Sequence, residues 1–151
     1  MKPFLTSALN KIDAKGRVSV PARFRAVIGT DSFQGVWCFA SFVGPSIEGY
    51  SAEGMDAYAA KIAALAKYSK EREAFERSVL ASTYELTFDS EGRIVLPEQL
   101  TAHAGLSESA MFVGLGDHFE IWEPRAYDEL LLKSRALAAA SRHLIDPGAK
   151  P

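Results

Sequence analysis

The stretch Asp13-Ala14-Lys15-Gly16-Arg17-Val18-Ser19-Val20-Pro21 occurs a second time, 76 residues later, as Asp89-Ser90-Glu91-Gly92-Arg93-Ile94-Val95-Leu96-Pro97. Aspartate, glycine, arginine and proline keep their positions, and two of the apolar positions exchange one apolar residue for another. The match continues beyond the motif, because Phe24 corresponds to Leu100 and Gly29 to Gly105. A chance match between short segments would not extend this far, so we interpret the repeated stretch as an internal duplication.

Each copy of the motif predicts a strand, a tight turn, a second strand and a short helix. An aspartate that starts a turn accepts hydrogen bonds from backbone N–H groups further along, and Gly16 can adopt the positive φ that the turn needs. Polar and apolar residues alternate over 17–20, which places Arg17 and Ser19 on one face and the valines on the other. Proline then fits the start of a helix over 22–28 that Gly29 ends. The second copy predicts strands over 84–88 and 93–96 and a helix over 97–104.

The rest of the chain predicts further strands and three more helices. Aromatic and β-branched residues indicate a strand or hairpin over 33–43, closed by Gly44-Pro45, and a hairpin of 111–115 with 119–122. Apolar spacing predicts a helix over 55–66, and alternating charges predict a helix over 70–80 with a solvated face and Val79 turned inward. A last helix begins at Pro124 and precedes a tail that starts at Asp146. Its apolar stripe consists of Tyr127, Leu130, Leu131, Leu137 and Ala138.

Two short hairpins of this kind are stable only when they pack together, because one alone cannot bury its apolar face. We therefore predict an α+β fold in which two β-hairpin/helix repeats interdigitate around a pseudo-two-fold axis. They form a small β-barrel with flanking helices and present the two turns symmetrically. The predicted divisions are a first repeat over 1–52, a connecting helical pair over 53–80, a second repeat over 81–123, and a C-terminal helix and tail over 124–151.

The charge of the chain is unevenly distributed between the two copies. The 151 residues, enough for one domain or two small fused units, carry a formal net charge of −2, which by itself argues against a nucleic-acid-binding protein. Yet residues 1–25 contain six basic side chains and one acidic, whereas residues 84–105 contain one arginine and four acidic side chains. The copies therefore share a backbone plan but differ in charge.

Other residues argue against an enzyme and against a membrane protein. The only cysteine, Cys38, lies in an apolar run, which excludes an intrachain disulfide and fits a buried side chain in a reduced, cytosolic setting. His103, His118 and His143 are scattered without metal-ligand spacing, and no serine has a nucleophile-elbow context. We expect no catalysis, no cofactor and no metal. There is no signal-like segment and no run of about 18 apolar residues, so we expect neither secretion nor a membrane span.

The duplicated D-x-[KE]-G-R-[VI]-x-[VL]-P pattern, its spacing, and Gly114-Leu115-Gly116-Asp117-His118-Phe119-Glu120-Ile121-Trp122 resemble the MraZ family of bacterial transcriptional regulators. That family belongs to the AbrB-like swapped-hairpin DNA-binding folds, and the resemblance extends from Phe4 to about Leu132. It implies that both repeats are AbrB-like. It also implies a cytoplasmic, nucleoid-associated protein that forms a ring-shaped homo-oligomer. The expected ligand is double-stranded promoter DNA of the division and cell-wall gene cluster, bound at short direct repeats.

The resemblance also implies which side chains contact DNA. In the family, the aspartate and arginine of each motif are linked with DNA contact, and they carry over to Asp13 and Arg17 and to Asp89 and Arg93. An arginine offers its fork to a phosphate or to the edge of guanine. An ionised Asp13 does not attract phosphate, so we expect it to fix the turn and orient Arg17. Lys15 is a candidate phosphate contact.

Two alternatives remain open at the motif. Asp13 and Arg17 could form an exposed ion pair without any ligand, worth about 0–1 kcal/mol. For Arg93 a structural role is the stronger alternative, because Glu91 replaces the lysine and the surroundings are acidic. The first copy is therefore the better candidate for DNA contact.

Helix spacing and contact number constrain the remaining hypotheses. Arg23 and Arg25 are also candidate DNA contacts, but they lie about 200° apart around a helix and cannot both face one groove. A subunit with about three phosphate contacts binds weakly and loses affinity with salt, so the DNA-binding hypothesis requires a multimer. The alternative function is an AbrB-like antitoxin or interaction module that binds a partner protein through the C-terminal helix and the tail to Pro151.

Overall fold

The second strands of the two motif copies pair with each other. In the computed structural model, which describes residues 2–30 and 32–148, these strands are antiparallel, and the residues that lie opposite each other are Arg17 and Val95, Val18 and Ile94, and Ser19 and Arg93. The pairing extends one residue further on each side. The N–H of Val20 donates to the carbonyl of Gly92 at 3.1 Å, and that of Leu96 donates to Gly16 at 2.9 Å. Each copy is therefore bonded to the turn of the other.

The described residues form eight strands and five α-helices, whose order repeats. The strands are β1 (Ser7–Lys11), β2 (Arg17–Ser19), β3 (Gly35–Ala40), β4 (Ile47–Tyr50), β5 (Tyr84–Thr87), β6 (Arg93–Val95), β7 (Ser109–Gly114) and β8 (Phe119–Trp122). The helices are α1 (Ala22–Ile28), α2 (Ala52–Ala63), α3 (Lys70–Phe75), α4 (Glu98–Ala104) and α5 (Pro124–Ala140). A π-helical turn over Glu76–Leu80 continues α3, and a 3₁₀ turn over Arg142–Leu144 follows α5.

The strand order of the larger sheet shows how the repeats interdigitate. Six strands lie in the order β1-β7-β8-β4-β3-β5, and β2 and β6 form a separate sheet. The first strand of each repeat pairs with the other repeat, β1 with β7 and β5 with β3, and β4 pairs with β8 at the centre. A half-turn about this centre exchanges corresponding strands. The predicted α+β fold of two interdigitated hairpin–helix repeats is therefore confirmed.

One hydrophobic core joins both repeats. Val18 and Ile94 contribute to it from the small sheet, and Phe24 and Leu100 contribute from corresponding positions of α1 and α4. Phe119 enters from the large sheet, and all five side chains are at most 1% exposed. Because each repeat covers the apolar face of the other, neither has to leave that face in water.

The first hairpin lies further along the chain than the sequence predicts. The expected strand or hairpin ended at Val43 and was closed by Gly44-Pro45, but this dipeptide lies in the turn, and the returning strand is β4. All four residues of β4 are buried. The strand lacks an alternating pattern because both of its faces are covered, with Ile47 in the main core and Tyr50 in an apolar cluster on the opposite face.

Helices α2 and α3 cover the outer face of the large sheet at the first repeat. A second apolar cluster forms there from Phe39, Tyr50, Met55, Ile62 and Val79. The predicted inward position of Val79 is confirmed, since this residue is fully buried. On the solvated side, Arg77 and Glu73 form an ion pair at 3.8 Å, as their spacing predicts.

Helix α5 begins at Pro124 as predicted, but none of its residues is buried. Leu130 and Leu131 are 37% and 36% exposed, and Leu132 and Leu137 are 73% and 68% exposed. Much of the apolar surface of α5 is therefore uncovered in the single chain. The end of the predicted tail, residues 149–151, lies outside the described residues. No helix in the described part of the chain is long and apolar enough to cross a membrane.

Candidate nucleic-acid interface

In the first motif, the carboxylate of Asp13 holds both the turn and the arginine. Its Oδ1 accepts hydrogen bonds from the backbone N–H groups of Lys15 at 3.0 Å and Arg17 at 2.8 Å. Its Oδ2 accepts from Nε of Arg17 at 2.6 Å. Gly16 has the predicted positive φ, at 78°. One aspartate thus closes the turn and fixes the direction of the guanidinium.

The second motif repeats this geometry atom for atom. Oδ1 of Asp89 accepts from the N–H groups of Glu91 and Arg93, each at 2.9 Å, and Oδ2 accepts from Nε of Arg93 at 2.8 Å. Gly92 has a φ of 77°. The duplication therefore preserves the hydrogen bonds of the motif as well as its sequence.

These hydrogen bonds stabilise the ionised form of both aspartates. The backbone N–H of Arg17 is the main cause that holds the pKa of Asp13 below its ordinary value, and the guanidinium hydrogen bond lowers the pKa further. The N–H of Arg93 has the same leading role for the pKa of Asp89. Each arginine is therefore held by a full negative charge.

The two arginines lie on one face of the two-stranded sheet. Alternation turns Val18 and Ile94 into the core, so the opposite face, here called the arginine face, consists of Arg17, Ser19, Arg93 and Val95. The arginines are diagonal neighbours in the antiparallel pair, which corresponds to roughly 7–8 Å between Cα atoms. Their side chains are 34% and 29% exposed. Alternation in the sequence indicates this face, but Ser19 and Val95 are not among the DNA contacts predicted from the motif.

The two arginines differ in their remaining partners. In the described part of the chain, Arg17 uses Nε for Asp13, and its two terminal amino groups make no hydrogen bond. Arg93 uses Nε for Asp89 and also places Nη2 at 2.9 Å from Oε2 of Glu91. The pKa of Arg93 is raised, chiefly by its hydrogen bond to Asp89, with further contributions from the charges of Glu91 and Asp13.

Arg23 and Arg25 of α1 have separate environments. Nε of Arg25 donates to the carbonyl of Val20 at 3.2 Å, and its guanidinium lies against the turn at Gly92. Arg23 is exposed beside Lys2 on another side of the helix. Arg25 therefore makes an internal hydrogen bond, whereas Arg23 makes no hydrogen bond or ion pair among the described residues.

The histidines and the cysteine that the sequence singles out have separate environments. Among the described residues, no three histidine, cysteine or acidic side chains come together in a way that could hold a metal ion. Nδ1 of His118 lies 2.6 Å from Asp117, and Nε2 of His103 lies 3.0 Å from the carbonyl of Gly44. Cys38 is fully buried, and this burial raises the pKa of its thiol to about 12.

Comparison with known proteins identifies relatives over nearly the whole chain. A family model described as "MraZ protein, putative antitoxin-like" matches residues 79–146. A protein of Rickettsia canadensis is 41% identical over 142 residues, which cover 94% of this chain and 95% of the relative. A protein of Pelagibacter ubique is 42% identical over 139 residues, which cover 92% and 90%. Both are named transcriptional regulator MraZ. Because this is the name of a family of regulators and not of enzymes, it confirms the prediction of a non-enzyme. This chain belongs to the MraZ family.

Proposed function

We propose that this protein is a sequence-specific, DNA-binding transcriptional regulator that contacts promoter DNA with its arginine face. The observation that carries the proposal is the pair Arg17 and Arg93, each held by an aspartate on one exposed face. The relatives' name as transcriptional regulators supports the same function. Because the formal net charge of the chain is −2, DNA binding depends on where these arginines lie and not on an overall positive charge.

The two functional groups of the first motif have different roles in this proposal. Asp13 does not touch DNA and instead orients Arg17, whose free amino groups bind a phosphate or the O6 and N7 edge of guanine. Lys15 is exposed on the same turn and supplies a less directional phosphate contact. Arg23 contacts a phosphate beside the arginine face, and the guanidinium of Arg25 supports the turn of the second motif.

We infer that the protein acts as a ring-shaped homo-oligomer on short direct repeats in the promoter of the division and cell-wall gene cluster. The few phosphate contacts of one subunit give weak binding, and several subunits on several repeats restore affinity through effective concentration. The uncovered leucines of α5 offer apolar surface for contacts between subunits. The protein then resides in the cytoplasm, associated with the nucleoid.

A second candidate function is binding of a partner protein, as in antitoxins. The exposed apolar surface of α5 favours it, because such a surface could serve a foreign protein as well as another subunit. Genomic context separates the candidates. A toxin gene next to this gene would favour partner binding, and cell-wall and septum genes downstream would favour the regulator.

We expect the wild-type protein to bind a duplex from its own upstream region more tightly than a scrambled duplex of equal length. Fluorescence anisotropy at about 50 mM and 200 mM salt measures both affinities, and the phosphate contacts should make both fall steeply as salt rises. Removing one direct repeat should weaken binding by more than the loss of one independent site. Equal affinity for the two duplexes would contradict sequence-specific regulation.

We expect Arg93→Ala to weaken binding less than Arg17→Ala does. Arg93 is held by two carboxylates, so little of its positive charge is available to a phosphate. The two variants remove the same side chain from corresponding positions, which makes each the control for the other. Equal losses in a titration with the upstream duplex would show that both motifs contact DNA to the same extent.

A further inference from the structure

Glu91 occupies the position at which the first motif has a lysine. Lys15 and Glu91 are third in their turns, and both are exposed. In the first turn this position adds a positive charge beside Arg17. In the second turn it carries a carboxylate that is 66% exposed and forms an ion pair with Nη2 of Arg93 at 2.9 Å. The two turns therefore differ by two charges at one equivalent position, although their backbone hydrogen bonds match.

The carboxylate of Glu91 interferes with phosphate binding in either of two arrangements. If the ion pair stays closed, Nη2 of Arg93 is occupied. If the ion pair opens, a free carboxylate remains on the turn that approaches the DNA, where it repels phosphate. An exposed ion pair of this kind opens readily, so Glu91 weakens the contact without preventing it.

We propose that Glu91 is an internal competitor for phosphate that weakens the second turn and makes the first turn the principal DNA contact of each subunit. The inference rests on the proposed function. It assigns to one side chain the regulation of affinity and salt dependence, and it predicts that removing this charge makes the second turn resemble the first.

The direct test replaces Glu91 by an amide of the same shape. We expect Glu91→Gln to bind the upstream duplex about three- to tenfold more tightly at about 0.1 M salt. The plot of log affinity against log salt should become steeper by about 0.9 for each engaged subunit, as for one added phosphate contact. Glu91→Lys, which copies the first turn, should bind more tightly still.

Two controls separate this effect from a general change in charge. Glu85→Gln makes the same charge change at an exposed position of β5, which pairs with β3 in the other sheet, and should leave affinity near that of wild type. Glu91→Gln combined with Arg93→Ala should lose most of the gain, because the proposed effect acts through the released guanidinium. A gain that persists without Arg93, or that Glu85→Gln reproduces, overturns the inference.

The outcome for wild type keeps this test apart from that of the proposed function. If wild type binds its upstream duplex and Glu91→Gln binds it equally well with the same salt slope, the function stands and the inference is wrong. If wild type binds no duplex, inorganic pyrophosphate serves as the probe, and the Nε–Hε signal of Arg93 is followed by NMR. A shift at lower pyrophosphate concentration in Glu91→Gln than in wild type supports the inference, and identical titrations overturn it.

Discussion

Arg17→Ala is expected to abolish specific binding to the protein's upstream DNA without changing the circular dichroism spectrum or the molecular mass in solution. The substitution removes the guanidinium whose terminal amino groups have no partner in the described part of the chain. A bidentate contact to a base is worth about 1–3 kcal/mol, and in the proposed oligomer the loss recurs in every subunit that engages a repeat. Anisotropy titrations on the upstream and scrambled duplexes measure the loss of discrimination.

The fold should tolerate this substitution because the side chain is on the surface. The Asp13–Arg17 pair is about a third exposed, and exposed pairs contribute about 0–1 kcal/mol to stability. The turn keeps the two backbone hydrogen bonds to Oδ1 of Asp13. Arg17→Lys is the informative companion. It retains the charge but lacks the fork, so we expect salt-dependent, unspecific binding to survive while discrimination falls. Full-affinity, specific binding by Arg17→Ala would contradict the proposed role of the arginine face.

The duplication made the fold predictable from the sequence. Two copies of one hairpin-forming stretch, each too short to bury its own apolar face, predict a pair of repeats that cover each other. The antiparallel pairing of Val18 with Ile94 at the pseudo-two-fold centre agrees with that expectation. The polar–apolar alternation of the second strand likewise predicts which side of the motif faces solvent.

The strand β4 could not be located in this way because sequence periodicity reports one-sided burial. Ile47–Tyr50 is buried on both faces, so no alternation distinguishes it, and Gly44-Pro45 looks like the end of a hairpin instead of its turn. Gly49 weakens the strand signal further. Tertiary packing requires a glycine here, because a Cβ at this position would collide with the ring of Phe119 on the neighbouring strand.

The candidate site was only partly visible in the sequence. Local spacing was enough to assign Asp13 and Arg17 to one turn, since the contact joins residues four apart. The contacts of Arg25 with Val20 and with the second turn depend on how the two repeats pack together, so no local pattern indicates them. The stripe of α5 follows from residue spacing, but spacing does not reveal that the single chain leaves this stripe largely uncovered.

Phe119→Ala is expected to be among the most destabilising single substitutions in this fold. The ring is fully buried, with centroids 5.3 Å from Phe4, 5.2 Å from Phe24 and 6.1 Å from Phe112. It also covers Gly49, which has no side chain to fill the space left behind. Truncation of a core phenylalanine costs about 3–5 kcal/mol, a large part of the 5–15 kcal/mol that typically holds a domain folded. Urea denaturation measures the change in the free energy of unfolding.

Phe42→Ala is the matched control, because it removes the same atoms from a side chain that is 51% exposed. The ring of Phe42 lies 5.7 Å from that of Phe75, and its loss should cost about 1 kcal/mol, the usual size of a point-mutation effect. Both variants need the same protomer concentration as wild type, since assembly adds to apparent stability. If Phe119→Ala does not fold, Phe119→Leu retains most of the apolar volume and should give an intermediate loss. Equal destabilisation by Phe119→Ala and Phe42→Ala would contradict a shared core centred on Phe119, because the same atoms are removed and the buried ring should lose far more packing.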